Sequence, residues 1–258
     1  MKNNNKFRLD VWGAITLGTI ALYALFLLYP MAYLIRQSVL DPDTGSFTLA
    51  YFTKFFSKSY YFDTLINSFK VSITATVLSI AIGTPLAYLF TIFKIKGKSV
   101  LNILIVVASM SAPFIGAYSW ILLLGRSGVI TAFFKNLGIA IPDIYGFGGI
   151  VLVMTLQLFP LVFLYAKGAL KNIDNSLIEA AENLGCSGIA CFFKVVVPLI
   201  MPTLLAAALL VFMRSFADFG TPMLIGEGYR TFPVVLYTEF INDCLLYTSP
   251  SPRDRTRS

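Results

Sequence analysis

Histidine is absent from the 258-residue chain, and only 13% of its residues are charged. The absence of histidine removes the commonest general base and the commonest metal ligand, which counts against a hydrolase or a metalloenzyme. Three cysteines, Cys186, Cys191 and Cys244, do not make a disulfide framework. In soluble domains about a quarter of the residues are charged. A water-soluble globule with the composition of this chain would therefore lack enough polar surface to cover its apolar core.

Apolar residues make up 57% of the chain, and its mean hydropathy is +0.77, so lipid is the expected solvent for most of it. A bilayer core about 30 Å thick requires about 20 mostly apolar residues per helix. The sequence contains five runs of this kind and therefore predicts an all-α, polytopic membrane helical bundle. The expected spans are 11–35, 65–93, 100–124, 149–170 and 199–219.

Basic residues predict the orientation of these spans, because cytoplasmic connections retain an excess of Lys and Arg. With the N-terminus inside, the outside connections 36–64 and 125–148 carry few basic residues over long stretches. We therefore expect a multi-pass membrane protein with a cytoplasmic N-terminus. The net charge of +7 then reports orientation and requires no nucleic-acid partner. The basic residues of the inside segments are Lys2, Lys6, Arg8, Lys94, Lys96, Lys98, Lys167, Lys171 and Lys194.

The C-terminal residues oppose this orientation. Five spans that start inside would place the C-terminus outside, where Arg253, Arg255 and Arg257 break the rule. The composition also changes abruptly at Cys244, and the string that follows has the character of translated vector or adapter sequence. We expect residues 244–258 to be a non-native tail, with a genuine polar tail as the alternative.

One segment has the ending of a nucleotide-binding loop but not its beginning. Gly97-Lys98-Ser99 ends like a phosphate-binding loop, which also needs a glycine where this chain has Ile92. The segment follows an apolar helix, whereas a phosphate-binding loop follows a strand. We therefore expect no ATPase site in this chain. With no histidine in the sequence, we also expect no catalytic residue, no metal site and no bound cofactor. The chain is accordingly not expected to be an enzyme.

Residues 171–197 form an inside connection that is too long for a simple hairpin, and their pattern predicts a short amphipathic helix. Either Asp174 or Ser176, which has capping-box spacing to the glutamate three residues later, is expected to cap it. Gly185 is expected to end it, and a second apolar segment then leads to Pro198 at the entry of the fifth span. A helix of this kind suits docking into a groove of another protein. Its apolar positions are Leu177, Ile178, Ala181 and Leu184, and its opposite positions are Glu179, Glu182 and Asn183.

This connection resembles the cytoplasmic signature of the type I permeases of binding-protein-dependent ABC importers. The resemblance covers residues 65–243 and includes Asn67-Ser68 near the start of the second span. It departs from the family at 188–191, where relatives often carry basic residues. The motif reads Glu179-Ala180-Ala181-x-x-Leu184-Gly185, followed by Phe192, Val196 and Pro198.

The resemblance implies an ABC importer type I transmembrane domain in residues 65–243, after an N-terminal segment, span and outer loop in 1–64. It also implies that the protein lies in the bacterial plasma (inner) membrane. It implies that a coupling helix sits in a cleft of a cytoplasmic ABC ATPase dimer, which uses the ATP. The other implied partners are an extracytoplasmic solute-binding protein, a second permease half, fused or separate, and membrane lipid. The residues that it assigns to coupling are Glu179, Ala180, Ala181, Leu184, Gly185 and Pro198.

Two charged residues at the outer end of the fifth span are further candidates. Arg214 and Asp218 are four residues apart on one helix face, so an ion pair is available to them. Charged residues inside a membrane usually mark a functional site or a buried pair. In the functional interpretation, Arg214 and Asp218 border the solute path or the contact with the binding protein. In the structural interpretation, they form an ion pair that orients the helix.

The segment 212–226, followed by 229–233, resembles the branch of the family that imports ferric iron. Permeases for polyamines, phosphonate and sulfate are near neighbours of this branch and remain alternatives. Ferric-type permeases are often two fused halves, which implies that this chain is an N-terminal half that lacks its sixth span. An ATP-independent channel or secondary carrier is the alternative of another class, although carriers usually place ionisable groups at mid-membrane.

Overall fold

The computed structural model describes residues 11–41, 45–93, 97–110, 112–139, 143–186 and 188–248. Within these ranges the chain is helical apart from its connections and one isolated bridge between Leu40 and Phe47. This confirms the all-α fold class. The chain divides into two compact units, Met1–Phe62 and Asp63–Ser258.

The first unit contains α1 and α2, and α3 leads into the second unit. The bounds of the helices are α1 Val11–Val39, α2 Ala50–Ser57, α3 Ser59–Ile92, α4 Lys98–Ser109, α5 Pro113–Leu124, α6 Val129–Asn136, α7 Phe147–Lys171, α8 Asn175–Asn183, α9 Gly188–Cys191 continued by Phe192–Ala217, α10 Gly220–Ile225 and α11 Phe232–Thr248.

Five stretches of the described chain are long and apolar enough to cross a membrane, which is the number that the sequence predicted, although the third lies at Phe114–Asn136 instead of 100–124. Most are longer than expected, because a helix continues into its polar flanks where a hydropathy pattern stops. The second span begins at Ser59, and the fifth begins at Phe192, ahead of Pro198. The five stretches are Val11–Val39, Ser59–Ile92, Phe114–Asn136, Phe147–Lys171 and Phe192–Ala217.

The expected third span, 100–124, is wrong as a single helix. Helix α4 ends at Ser109, and α5 begins only at Pro113. Proline cannot donate a backbone hydrogen bond and forces the preceding residue out of the helical region. Ala112 accordingly has an extended backbone with ψ of 141°. A break therefore separates two helices of 12 residues, each shorter than a bilayer core.

The core of the second unit forms where α9 packs along α7, with α3 against both. In lipid such a core is held by close van der Waals packing, because apolar side chains gain little by leaving a hydrocarbon solvent. The rings of Phe90 and Phe163 meet edge to face at 5.2 Å between centroids. The fully enclosed members of this cluster include Ala87, Val162, Phe163, Ala166, Val196 and Val211.

A glycine allows α3 to approach α7 closely. A Cβ atom on Gly83 would lie 2.9 Å from the carbonyl oxygen of Phe159 and 2.9 Å from Cβ of Val162. Small residues at such crossings are the usual means by which membrane helices bring their backbones together. Gly83 therefore determines the spacing of this helix pair.

The position of α8 shows which connections lie together at one end of the second unit. Ile178 of α8 and Leu170 at the end of α7 join the cluster that contains Phe90 at the end of α3. Helix α8 therefore lies at the same end as the connection from α3 to α4. Lys167 near this end donates a hydrogen bond to the side-chain oxygen of Asn102. Residues 94–96, which carry two of the expected inside lysines, lie outside the described residues.

Helix α11 continues to Thr248 and so enters the expected non-native tail of residues 244–258. Residues 249–258 lie outside the described part of the chain. The foreign origin of the tail stays a prediction.

Candidate functional site

Helix α8 begins with a cap from Asp174, which decides between the two expected caps. The backbone N–H of Ser176 donates to Oδ1 of Asp174 at 3.0 Å. This bond satisfies one of the unpaired donors of the first helical turn. The same bond from Ser176 holds the pKa of the Asp174 carboxyl below its usual value, because it favours the charged form.

Replacing Asp174 with alanine is expected to fray the first turn of α8. We expect several-fold faster amide hydrogen exchange at Ser176 and Leu177 in the Asp174→Ala variant, with Asp174→Ser as a control that keeps a capping oxygen. Because the folded pKa is lowered, the capping contribution is present above the unfolded pKa, about 3.9, and is lost as the pH falls through the folded value. Exchange that is equally fast in both variants would contradict the cap.

Helix α8 ends at Asn183 and is closed by Gly185, the residue that the sequence predicted for this role. Gly185 has a φ of +84°, in the left-handed region that side chains other than glycine disfavour. The N–H of Cys186 donates to the carbonyl of Ala181 at 3.0 Å, and the N–H of Leu184 donates to the carbonyl of Ala180 at 3.1 Å. The bond from Cys186 is the six-to-one closure of a Schellman motif, which turns the chain sharply towards α9.

The four apolar positions of α8, which share one face by their spacing, differ in burial in the structure. Ile178 packs against the core, and Ala181 is partly buried. Leu177 is 49% exposed and Leu184 is 89% exposed. Glu179 and Ala180 are exposed as well. A nine-residue helix on a bundle has room for only a narrow contact, so its outward surface is mixed, apolar as well as acidic.

The base of α8 is held by aromatic and aliphatic packing. Phe192 and Val196 of α9 are buried in the same cluster as Ile178, and the rings of Tyr88 and Phe192 lie 4.6 Å apart. The backbone of Phe192–Val196 forms a π-helical turn directly before Pro198. A wider turn accommodates the missing N–H of a proline, so α9 continues through Pro198 where the sequence suggested a boundary.

Arg214 and Asp218 do not form the ion pair that their spacing allowed. The carboxylate of Asp218 instead accepts hydrogen bonds from the N–H of Gly220 at 2.9 Å and from the hydroxyl of Thr221 at 2.7 Å. It thereby binds the first turn of α10, which begins at Gly220, from the residue before the N-cap Phe219. Among the described residues, no carboxylate lies within ion-pair distance of the exposed Arg214.

Both residues nevertheless line one cavity of about 480 Å³ in the second unit. The opposite side of the cavity is formed where α4 ends and α5 begins. The polar and aromatic residues that line it include Ser109, Phe114, Gln157, Arg214, Asp218 and Phe219. The structure thus brings two expected site residues to a shared space that the sequence did not reveal.

Asn67 and Ser68, the pair that extends the family resemblance, fix the segment between α10 and α11. The side-chain amide of Asn67 donates to the carbonyl of Arg230 at 3.2 Å. The buried hydroxyl of Ser68 accepts a bond from the N–H of Phe232 at 2.8 Å and donates to the carbonyl of Thr64 at 3.1 Å. Their role in the fold is to hold a distant connection against α3.

Comparison with known proteins agrees with this architecture. Residues 46–248 match the family model of the binding-protein-dependent transport system inner membrane component. The chain belongs to this family. The match includes the whole of the expected transmembrane domain, residues 65–243, and α8 with its flanking turn.

The chain is similar in sequence to transport permeases for different solutes. It is 28% identical over 254 residues to the ferric transport system permease protein FbpB of Actinobacillus pleuropneumoniae, covering 97% of this chain and 36% of that relative. It is also 28% identical over 249 residues to the spermidine/putrescine transport system permease protein PotB of Haemophilus influenzae, covering 92% and 85%. The chain thus spans little more than a third of the length of the ferric transport relatives that it matches.

A solved structure shows the same fold. The crystal structure of a bacterial alginate ABC transporter in complex with an alginate pentasaccharide-bound periplasmic protein contains a chain that aligns with a TM-score of 0.73. The alignment covers 91% of this chain and 84% of that chain, at 16% identity. The expected fold, a transmembrane domain of the ABC importer type, is confirmed.

The family member also contains a charged cluster that the sequence did not indicate. Arg126, after α5, lies 3.0 Å from the carboxylate of Asp143 and 2.8 Å from that of Glu227, and its guanidinium stacks 4.7 Å from the ring centroid of Tyr145. These partners come from separate connections of the second unit, so no local pattern links them. Glu227 has a φ of +46° and lies between Gly226 and Gly228. These two glycines are the feature of the sequence that indicates an unusual turn at this position.

Proposed function

We propose that this chain is the transmembrane permease subunit of an ATP-driven ABC importer. In this role it forms the solute path across the plasma membrane, with its N-terminus and α8 on the cytoplasmic side. The geometry of α8 carries the proposal. The helix is anchored by Ile178, capped by Asp174, ended by Gly185, and presents Leu184 at 89% exposure.

An exposed leucine on a rigid short helix suits insertion into a cleft of a partner. The proposed partner is a cytoplasmic ABC ATPase dimer, which binds and hydrolyses the ATP. Closure of the dimer would push α8, and the shared core with α7 and α9 would transmit this movement to the spans. The contacts with the ATPase are assigned to Glu179, Ala180, Ala181, Leu184 and Gly185, while Pro198 shapes the start of the following span.

Substitution of Leu184 tests the docking surface without disturbing the core. Leu184→Asp is expected to reduce co-purification of the ATPase subunit with the permease at least tenfold, because a desolvated carboxylate is costly in an apolar contact. Leu137→Asp is the matched control, since Leu137 is also exposed but follows α6. Equal recovery of the ATPase with both variants would overturn the assignment of α8.

The proposed solute is ferric iron, delivered by an extracytoplasmic solute-binding protein, with a second permease half completing the path. The similarity to a ferric transport permease over 97% of the chain supports this choice. A polyamine is the second candidate, because the spermidine/putrescine relative is equally identical. Uptake of labelled Fe(III) and of labelled spermidine, in cells with and without the gene, decides between them. Loss of spermidine uptake alone would overturn the ferric proposal.

A further inference from the structure

The cavity of about 480 Å³ lies where two membrane helices are interrupted. On one side α4 stops at Ser109 before α5, and on the other α9 stops at Ala217 before α10. Gln157, another lining residue, is about three turns into α7, so the cavity reaches well inside the bundle. Non-helical backbone at membrane depth is tolerated where it is buried in protein or lines a water-filled cavity. Broken helices in other membrane transporters form solute and ion sites for this reason.

One acidic and one basic side chain line the cavity among the described residues, and the acidic one is already engaged by hydrogen bonds. Oδ1 of Asp218 accepts from the N–H of Gly220, and Oδ2 accepts from the hydroxyl of Thr221. These bonds belong to the start of α10 and occupy the carboxylate. Arg214 has no carboxylate within ion-pair distance among the described residues. Both groups line the cavity, and hydrogen bonds do not neutralise the carboxylate, but the guanidinium is the one whose hydrogen-bonding groups remain open to a solute among the described residues.

A second donor at the cavity lacks an acceptor. The amide nitrogen Nε2 of Gln157 is buried and has no hydrogen-bond partner within the described structure. An unsatisfied buried amide is costly, and rotation of this amide by half a turn directs its NH₂ group to a different side. Arg214 of α9 thus offers N–H groups to the cavity, and Gln157 of α7 can add a donor when its amide turns.

We propose that this cavity binds an anionic solute, or a metal ion that travels with enough anionic ligands to make the complex negative. Arg214 is the recognising residue, because its planar set of N–H donors matches carboxylate and phosphate oxygens. Gln157 supplies a further donor. The inference rests on the proposed importer function and narrows its solute to an anionic ferric complex. A free polyamine carries the same sign of charge as Arg214 and is disfavoured at this position.

A labelling experiment on the full chain tests the charge of the cavity without any transport. Ser109→Cys is introduced after Cys186, Cys191 and Cys244 are replaced by alanine. The probes are two methanethiosulfonate reagents, one with a sulfonate and one with a trimethylammonium group. The measured quantity is the ratio of the anionic to the cationic modification rate at residue 109.

Arg214→Gln is expected to lower this ratio about tenfold, because one charge acts in opposite directions on the two reagents. Arg214→Lys keeps the charge and is expected to leave the ratio within about twofold of the unchanged protein. Arg36→Gln is the matched control, because Arg36 is exposed in the first unit and lies outside the cavity. A ratio that does not change in Arg214→Gln, or no labelling by either reagent, would overturn the proposal.

Uptake measurements extend the test to the solute. In cells that express the complete importer, Arg214→Gln is expected to lower uptake of iron supplied as Fe(III) citrate at least tenfold, whereas Arg214→Lys retains most of it. Undiminished iron uptake in Arg214→Gln would contradict the role of Arg214. If Arg214→Gln changes the labelling ratio as predicted but cells with the complete importer take up no iron, the anionic site stands and the ferric proposal fails.

Discussion

A chain that carries Gly185→Val is expected to enter the membrane and fold, yet to move at least tenfold less solute per ATP hydrolysed. Valine in the left-handed region costs about 1–2 kcal/mol or more, because its branched Cβ crowds the following carbonyl. Gly185 has a φ of +84°, and the bond from Cys186 to the carbonyl of Ala181 depends on that turn. Loss of the turn would change the direction in which the chain leaves α8 for α9.

The variant Gly185→Asn separates the backbone effect from other causes, because asparagine tolerates the left-handed region better than valine. A Cβ on Gly185 would meet nothing within 4 Å, so crowding by neighbours does not explain a defect. We expect Gly185→Asn to retain most of the coupling. The measurement is solute uptake and ATP hydrolysis in the same vesicles that contain the complete importer. Equal coupling in the two variants would refute a conformational role for this glycine.

The substitution Gly83→Val is expected to have the largest effect on the stability of the bundle. Its Cβ would lie 2.9 Å from both the carbonyl oxygen of Phe159 and Cβ of Val162, and the first of these is backbone that cannot rotate away. Overpacking of this kind costs about 1–3 kcal/mol, and more where helices must separate. We expect a lower thermal unfolding midpoint in detergent and reduced yield of folded protein.

Gly168→Val is the matched control for this prediction. Gly168 lies in α7, the same helix that Gly83 contacts, but a Cβ there would meet nothing within 4 Å. Both variants place a β-branched residue in a helix, so the intrinsic helix preference changes equally. The difference between their unfolding midpoints measures the helix crossing alone. A difference within experimental error would mean that α3 and α7 can separate without loss.

Local features of the chain were predictable from the sequence because neighbouring residues determine them. Hydropathy alone predicted five spans, since a helix in lipid must satisfy its own backbone and present apolar side chains. The end of α8 at Gly185 and the cap at Asp174 or Ser176 were predictable for the same reason. In each case the hydrogen bond forms between residues at most five positions apart.

Other features were not predictable because they depend on partners far along the chain. Leu177 and Leu184 have the helical spacing of a buried face, but only Ile178 reaches the core formed by α3, α7 and α9. The spacing of Arg214 and Asp218 allowed an ion pair, which the start of α10 prevented by engaging the carboxylate.

The sequence by itself determined that this is an all-α membrane protein with a short, glycine-ended helix between its fourth and fifth spans. Composition and local turn chemistry suffice for that, and the family match agrees with it. Only the tertiary structure decided which residues are available to a partner or a solute. The cavity that brings Ser109 close to Arg214, whose guanidinium has no carboxylate within ion-pair distance among the described residues, and the cluster around Arg126 arise where distant segments meet. Their geometry depends on helix packing, which no local pattern of residues encodes.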